Sequence, residues 1–547
     1  MTQLSYVQGA SGIPLRGETI GQALRGTVER FAAREALVED RRGYRATYRQ
    51  LWEQVEAVAR GLMAYGIRRG DRVGIWSPNR YEWALIQFAT ARVGAIMVNV
   101  NPSYKAADLR YVVNQSEIAL LIAARNFRKT DNMEILSQIG PDSKYPLRTL
   151  IIEQEWNDLL RAGSAVSAKD LEEREAALQF DDPVNIQYTS GTTGFPKGAT
   201  LTHHNILNNG FFIGERERLS EKDRVCIPVP FYHCFGMVLG NLACITHGSC
   251  IVIPDEAFDP ETTMKVVEKE RCTALYGVPT MFIAELDHPD FRKYDFSSLR
   301  TGIMAGAPCP IGTMKKVQSL MHMTEVTVAY GMTETSPVST QSFFDDPLEK
   351  RVSTVGKVHP HLEIKIVDPA TGQTVPRGVQ GELCTRGYSV MRGYWNMPEA
   401  TREVIDEARW MHTGDVATMD EEGYLKIVGR IKDIIIRGGE NISPREIEEY
   451  YMTHEFVSDI QVIGVPSVKY GEEVMAWVKL KPGAPPVTGE DLVAFGRGKI
   501  ATYKIPRFWK FVGEFPMTVT GKVRKVEMRE ISTKELKLDE AAKVKTA

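Results

Sequence analysis

Apolar side chains recur at helical spacing from Leu51 through Val55 and Val58 to Leu62, the stripe of a helix that faces a core. Thr47 and Gln50 form a capping box at its start, and Gly66 stops it. Arg72–Trp76 then reads as a strand, Tyr81–Val93 as a helix, and Ala95–Val100 as a second strand closed by Asn101-Pro102. Strand, helix, strand is a βαβ unit and predicts parallel sheet. The alternation continues through strands at Leu150–Ile152, Ile186–Thr189, Cys226–Pro230, Ser249–Ile253 and Ala274–Gly277, with no short repeat period.

Between about Val352 and Ile427 the texture changes to closely spaced strands, with turn signals at Ala370-Thr371-Gly372, Pro376-Arg377-Gly378 and Glu421-Glu422-Gly423. A last unit follows Gly429. In it Ser443 reads as an N-cap, Pro444 as the first helical residue and Glu446 as the partner completing a second capping box. Asp459–Val465 and Val474–Leu480 read as strands, a helix starts at Thr488 and runs toward Thr502, and the charged tail beyond about Ile531 is expected to fray. The predicted fold is α/β. A large N-terminal domain (1–431) holds two layered α/β subdomains (about 1–180 and 181–350) and a small β-rich subdomain (351–428). A small α+β C-terminal domain (432–547) follows.

At 547 residues, 43% hydrophobic and 25% charged, the chain has an ordinary globular composition, which excludes collagen-like and low-complexity classes. Its net charge is -3 and it has no block of like charges, so nucleic acid is a poor partner. No apolar run is long enough to span a bilayer and no secretory pattern opens the chain, so the expectation is a cytoplasmic protein. Cys226, Cys234, Cys244, Cys250, Cys272, Cys309 and Cys384 show no metal-ligand spacing and are expected to be reduced core thiols.

Tyr188-Thr-Ser-Gly-Thr-Thr-Gly-Phe-Pro-Lys-Gly198 packs hydroxyls, glycines and a lysine into a turn after a predicted strand. Glycines let backbone N–H groups converge on an anion, hydroxyls add donors, and Lys197 supplies a charge on a flexible stem. The string is not the Walker pattern, because Pro196 precedes the lysine and Gly198 follows it. It resembles the phosphate loop of the adenylate-forming superfamily. Tyr330-Gly-Met-Thr-Glu-Thr335, Trp410-Met-His-Thr-Gly-Asp415, Gly429-Arg-Ile-Lys-Asp433 and Thr520-Gly-Lys522 match further motifs of that superfamily in its order, as do Gly306-Ala-Pro308 and Arg392-Gly-Tyr-Trp395. Singly most are weak; together they cover essentially the whole chain, and the texture is most like medium-chain acyl-CoA synthetases.

The resemblance implies an AMP-forming acid–thiol ligase using ATP, Mg²⁺ and coenzyme A. A carboxylate attacking an α-phosphate brings anion against polyanion, so cations and oriented donors are required. By resemblance Glu334 holds the Mg²⁺. Thr333 and the loop Thr189, Ser190, Gly191, Thr192, Thr193, Gly194 to Lys197 contact phosphates. Gly306, Ala307, Pro308, Ala329 and Tyr330 line the adenine, and Gly331 and Met332 also belong to the nucleotide site. Asp415 binds both ribose hydroxyls, an ionised carboxylate offering two acceptor oxygens. Arg430 adds a donor, and Lys522 brings an ammonium to the reacting carboxylate.

By the same resemblance the C-terminal domain is mobile, Lys432 takes its hinge position, and Arg437, Gly438, Gly439 and Glu440 face coenzyme A. His233, Cys234, Phe235, Met237, Val238 and Val338 border an acyl tunnel. Each buried methylene is worth about 0.8 kcal/mol, so chain-length selectivity depends on where that tunnel ends. Aryl or longer acids, transfer to a carrier protein, luciferase-like oxidation of an adenylate and a non-catalytic nucleotide-binding scaffold are the alternatives. The partners are small molecules, and a homodimer is left open.

Overall fold

The computed structural model of the chain describes residues 3–139, 147–189, 196–307, 309–438, 440–517 and 523–538. The first βαβ unit forms as its pattern dictates. The Thr47 hydroxyl accepts from the Gln50 N–H and the Gln50 amide oxygen accepts from the Thr47 N–H, capping the helix Tyr48–Ala64. The helix Tyr81–Val93 is buried from Glu82 to Val93, as a helix lying between other layers must be. Its Arg92 survives burial by pairing with Glu175 at 3.2 Å.

Two large sheets carry the N-terminal domain. The seven-stranded one runs Gly393–Tyr394, Lys197–Thr202, Pro183–Thr189, Ile96–Val100, Arg72–Trp76, Ile118–Ala123, Arg148–Ile151. Its strands from Pro183–Thr189 to Arg148–Ile151 are parallel, and Lys197–Thr202 returns antiparallel beside Pro183–Thr189. The nine-stranded one runs Lys357–Val358, Val338–Gln341, Thr327–Gly331, Thr301–Ala305, Ala274–Gly277, Arg224–Cys226, Cys250–Ile253, Glu35–Glu39, Tyr44–Thr47. The chain therefore does not divide cleanly near residue 180: an early hairpin completes the second sheet, while residues 183–202 complete the first. Pairing of exposed sheet edges decides this, and periodicity does not report it.

The β-rich segment forms a five-stranded antiparallel sheet of Tyr6–Gln8, Leu362–Val367, Gly381–Gly387, Met411–Met419 and Leu425–Arg430. The C-terminal sheet contains Glu440–Ile442, Ile435–Arg437, Gly471–Leu480 and Val457–Ser467, with Phe508–Phe511 parallel to Gly471–Leu480.

Four sequence expectations need correction. The strand expected at Cys226–Pro230 is only Arg224–Cys226, since Ile227 is the last residue to bond to the neighbouring strand. The second capping box is absent: the Ser443 hydroxyl donates to the Val428 carbonyl at 2.6 Å, and Glu446 takes Lys504 instead. The helix capped by Thr488 ends at Gly496, where the chain turns so that Ile500 can pack on the C-terminal core. The tail does not fray at Ile531, because the helix Lys525–Glu535 buries Met528 and Ser532 against that domain. All seven cysteines are free thiols; six are buried and Cys309 is partly exposed. Among the described residues no helix is long and apolar enough to cross a membrane.

Candidate nucleotide and acyl site

Thr189 and Lys197 face each other at the open end of the Pro183–Thr189/Lys197–Thr202 hairpin, and the Thr189 hydroxyl donates to the Lys197 carbonyl at 3.3 Å. The glycine- and hydroxyl-rich string thus falls between the two strands of an antiparallel hairpin. Ser190, Gly191, Thr192, Thr193 and Gly194 lie outside the described residues, as do Pro308, Gly439 and Lys522. The Lys197 ammonium sits 5.1 Å from the centroid of the Tyr394 ring.

The Tyr394 hydroxyl donates to Glu334 Oε1 at 2.9 Å. Glu334 is only 6% exposed, in the turn Thr333–Thr335, and its main-chain carbonyl accepts from the Met391 N–H. A buried carboxylate needs such a donor, and burial together with the Glu334 charge pushes the Tyr394 hydroxyl's pKa up, keeping it a donor. The Trp395 N–H donates to the Gly198 carbonyl at 2.7 Å. Arg392-Gly-Tyr-Trp395, for which the sequence offered no role, is therefore a clamp between Lys197 and Glu334.

Ala305 and Ala329 are partners in adjacent parallel strands, so Gly306 and Ala307 emerge beside Tyr330, Gly331 and Met332 at the strands' carboxyl ends. That is where open α/β sheets bind ligands. Gly306 has φ +88°, a left-handed conformation that suits glycine. The Tyr330 hydroxyl donates to Asp415 Oδ2 at 2.6 Å, tying the second sheet to the third. Asp415 and Arg430 are register partners, and Arg430 Nε donates to Asp415 Oδ1 at 3.0 Å. Both oxygens are thus oriented, and each has a remaining lone pair for an incoming hydroxyl. Burial and the Asp415 charge push the Tyr330 phenol's pKa up, so it stays protonated.

Phe231–Met237 leads into a wide helical turn, Phe235–Leu242, of π geometry, a form often found at functional sites. The Phe231 N–H donates to Asn79 Oδ1 at 2.7 Å, and the Met237 N–H donates to the His233 carbonyl. Met237 and Val238 are fully buried, and the Phe235 ring lies 6.0 Å from that of Tyr276. The Cys234 thiol donates to Gln187 Oε1 at 2.6 Å; burial and then the Glu334 charge push its pKa up, so it is a neutral structural thiol. Val338 is fixed at both main-chain polar groups by the Asn209 amide. Sequence reasoning missed the amides Asn79, Gln187 and Asn209, and also Asn99, whose Nδ2 donates to the Tyr232 carbonyl at 3.2 Å. Asn99 and Gln187 stand inside apolar strand runs, which was the available signal.

In the C-terminal sheet Arg437 is committed to the buried Glu473, with Nη2 donating at 3.1 Å, and lies 4.2 Å from the Tyr470 ring centroid. Glu440 is its register partner, and the Gly438 N–H donates to the Tyr470 carbonyl. Lys432 lies in the turn Ile431–Asp433, where Asp433 pairs with Arg529 at 2.9 Å.

Residues 24–395 match the AMP-binding enzyme family, and residues 446–522 match the AMP-binding enzyme C-terminal domain. The chain belongs to the AMP-binding enzyme family. The YngI protein of Bacillus subtilis (strain 168) is 50% identical over 94% of this chain and 96% of its own. The mitochondrial medium-chain acyl-CoA ligase of Danio rerio is 44% identical over 98% and 91%. Among solved structures, ATP-bound MatB from Rhodopseudomonas palustris superposes with a TM-score of 0.80 at 28% identity, covering 94% of this chain and 99% of that one.

Proposed function

We propose that this AMP-binding enzyme is an ATP-dependent acyl-CoA synthetase. A carboxylate oxygen attacks the α-phosphate of ATP, giving acyl-AMP and pyrophosphate. The thiol of coenzyme A then attacks the acyl carbon, expelling AMP. The observation that carries this reading is that one short stretch after the strand Thr327–Gly331 joins two arrangements: Tyr330 on Asp415 beside Arg430, and Glu334 under the Tyr394 hydroxyl with Lys197 against the same ring. The ligase name of the Danio rerio relative supports it.

In this reading Asp415 accepts the two ribose hydroxyls while Tyr330 and Arg430 hold its oxygens, and Gly306, Ala307 and Ala329 line the base. Lys197 and Thr333 contact phosphates, and Lys522 brings its ammonium to the reacting carboxylate. Glu334 suits a magnesium ion, because it offers a hard carboxylate oxygen whose orientation Tyr394 fixes. That ion supplies neutralisation of phosphate charge when bound. The turn at Lys432 is the hinge on which residues 432–547 change face, and Arg437, Gly438 and Glu440 then belong to the coenzyme side.

The apolar lining favours a fatty acid of medium length. A panel of aryl and graded fatty acids with ATP and Mg²⁺, scored for AMP and pyrophosphate with and without coenzyme A, tests this. Acid-dependent AMP release that requires coenzyme A and peaks at medium chains is expected. Adenylate accumulating despite coenzyme A would point to a carrier-protein acceptor, a peak on aryl or long acids would move the substrate class, and intact ATP with every acid would refute the reading.

A further inference from the structure

The Asp415 strand and the strand paired with it carry a group of donors that the proposed reaction does not use. Strands Gly381–Gly387 and Met411–Met419 pair antiparallel, with Cys384 opposite His412 and Glu382 opposite Val416. Two positions on one strand thus span four on the other. The bulge falls at Thr413–Asp415, where Gly414 has φ +70°, and bulges beside sites commonly re-aim a side chain. Here the result is that His412 Nδ1 stands 2.8 Å from Glu382 Oε2 and 3.5 Å from Cys384 Sγ. All three donor atoms lie within 4.8 Å of one another, and among the described residues no other group of three such donors is this close.

We propose that Glu382, Cys384 and His412 form a site for a soft divalent cation of the Zn²⁺ kind, distinct from the nucleotide crevice. Metal–sulfur and metal–nitrogen distances of about 2.3 and 2.05 Å at a tetrahedral angle put the two donors about 3.5 Å apart. The Cys384–His412 separation already has that value. The Glu382–His412 edge must open by about half an ångström to reach the tetrahedral spacing, a small side-chain rotation. Sulfur and imidazole donors select zinc-like ions over magnesium or calcium.

The surroundings are those of a ligand shell. Asp406 Oδ2 lies 3.6 Å from His412 Nε2, where a carboxylate orients a metal-bound imidazole, and the Gly414 N–H holds the other Glu382 oxygen at 3.1 Å. The His412 side chain is 32% exposed, which leaves an entry path and room for water as fourth ligand. Binding releases the thiol proton and any proton on His412 Nδ1, so the bound set is thiolate, neutral imidazole and carboxylate.

The full-length protein titrated with Co²⁺ tests the site through thiolate-to-cobalt charge-transfer absorption in the near ultraviolet. One equivalent per chain is expected, displaced by Zn²⁺. The band should vanish in Cys384→Ser with circular dichroism unchanged. His412→Gln, which keeps the thiol, should bind Co²⁺ at least about tenfold more weakly. Absence of the band in the wild type, its survival in a folded Cys384→Ser, or unchanged affinity in His412→Gln would each overturn the proposal. Should Cys384→Ser not fold, His412→Gln decides alone.

Discussion

Replacing Tyr394 with Phe removes one hydroxyl from the clamp and leaves its ring beneath Lys197. The hydroxyl donates at 2.9 Å to a carboxylate that is 6% exposed. A hydrogen bond to a charged group contributes about 1.5–3 kcal/mol, so adenylation should slow about 10- to 150-fold if that orientation is needed as charge moves on the phosphates. ATP–pyrophosphate exchange reads the first half-reaction, and thiolysis of chemically prepared acyl-adenylate reads the second. Exchange should fall by that factor while thiolysis stays within about threefold, because in the second step pyrophosphate has already left and charge builds only on the single AMP phosphate. A Tyr394→Leu variant, which also loses the ring under Lys197, should be slower still. Equal losses in the two half-reactions, or exchange within about threefold of wild type, would refute the reasoning, since a loss of that size is under 0.7 kcal/mol.

Lys522→Ala should cripple pyrophosphate exchange far more than thiolysis of supplied adenylate; equal losses would count against its assignment to adenylation. Gly236→Ala would place a Cβ 2.4 Å from the Pro230 carbonyl oxygen, an overpacking that should cost about 1–3 kcal/mol in denaturant unfolding, and an unchanged midpoint would show that the π turn can shift. Glu217 is fully buried under the Tyr276 hydroxyl, and desolvation pushes its carboxyl up from 4.5 to about 8. Its folded value lies above its unfolded one, so its contribution is complete below about pH 4.5 and is lost as pH rises through about 8. Glu217→Gln should therefore flatten the fall in urea midpoint across that window; a wild type that gains on the variant toward pH 8 would reverse the sign and the argument.

Local pattern was legible where one element decides its own form. The helix after Thr47, the strand Arg72–Trp76 and the helix Tyr81–Val93 have the boundaries that their capping and periodicity dictate. What failed depends on partners distant in sequence. Ser443 looks like a cap, yet its hydroxyl goes to Val428 because the two domains meet there. For the candidate site the sequence named the residue types Asp415, Glu334 and Lys197, but not that Tyr330 and Tyr394 hydrogen-bond to the two carboxylates, since a tyrosine in a motif does not reveal where its hydroxyl points. The donors Glu382 and His412 stand 30 positions apart and meet only through a bulge that alternation cannot show.

The strand Tyr6–Gln8 pairs with Leu362–Val367, so the opening residues of the chain form the rim of the sheet that carries Asp415. During synthesis this strand has no mate until some two-thirds of the polypeptide has left the ribosome. The strand must wait as an unpaired edge, and the sheet bearing Asp415 is sealed late. A bulky fusion placed ahead of residue 6 would therefore press on the catalytic body rather than dangle from it.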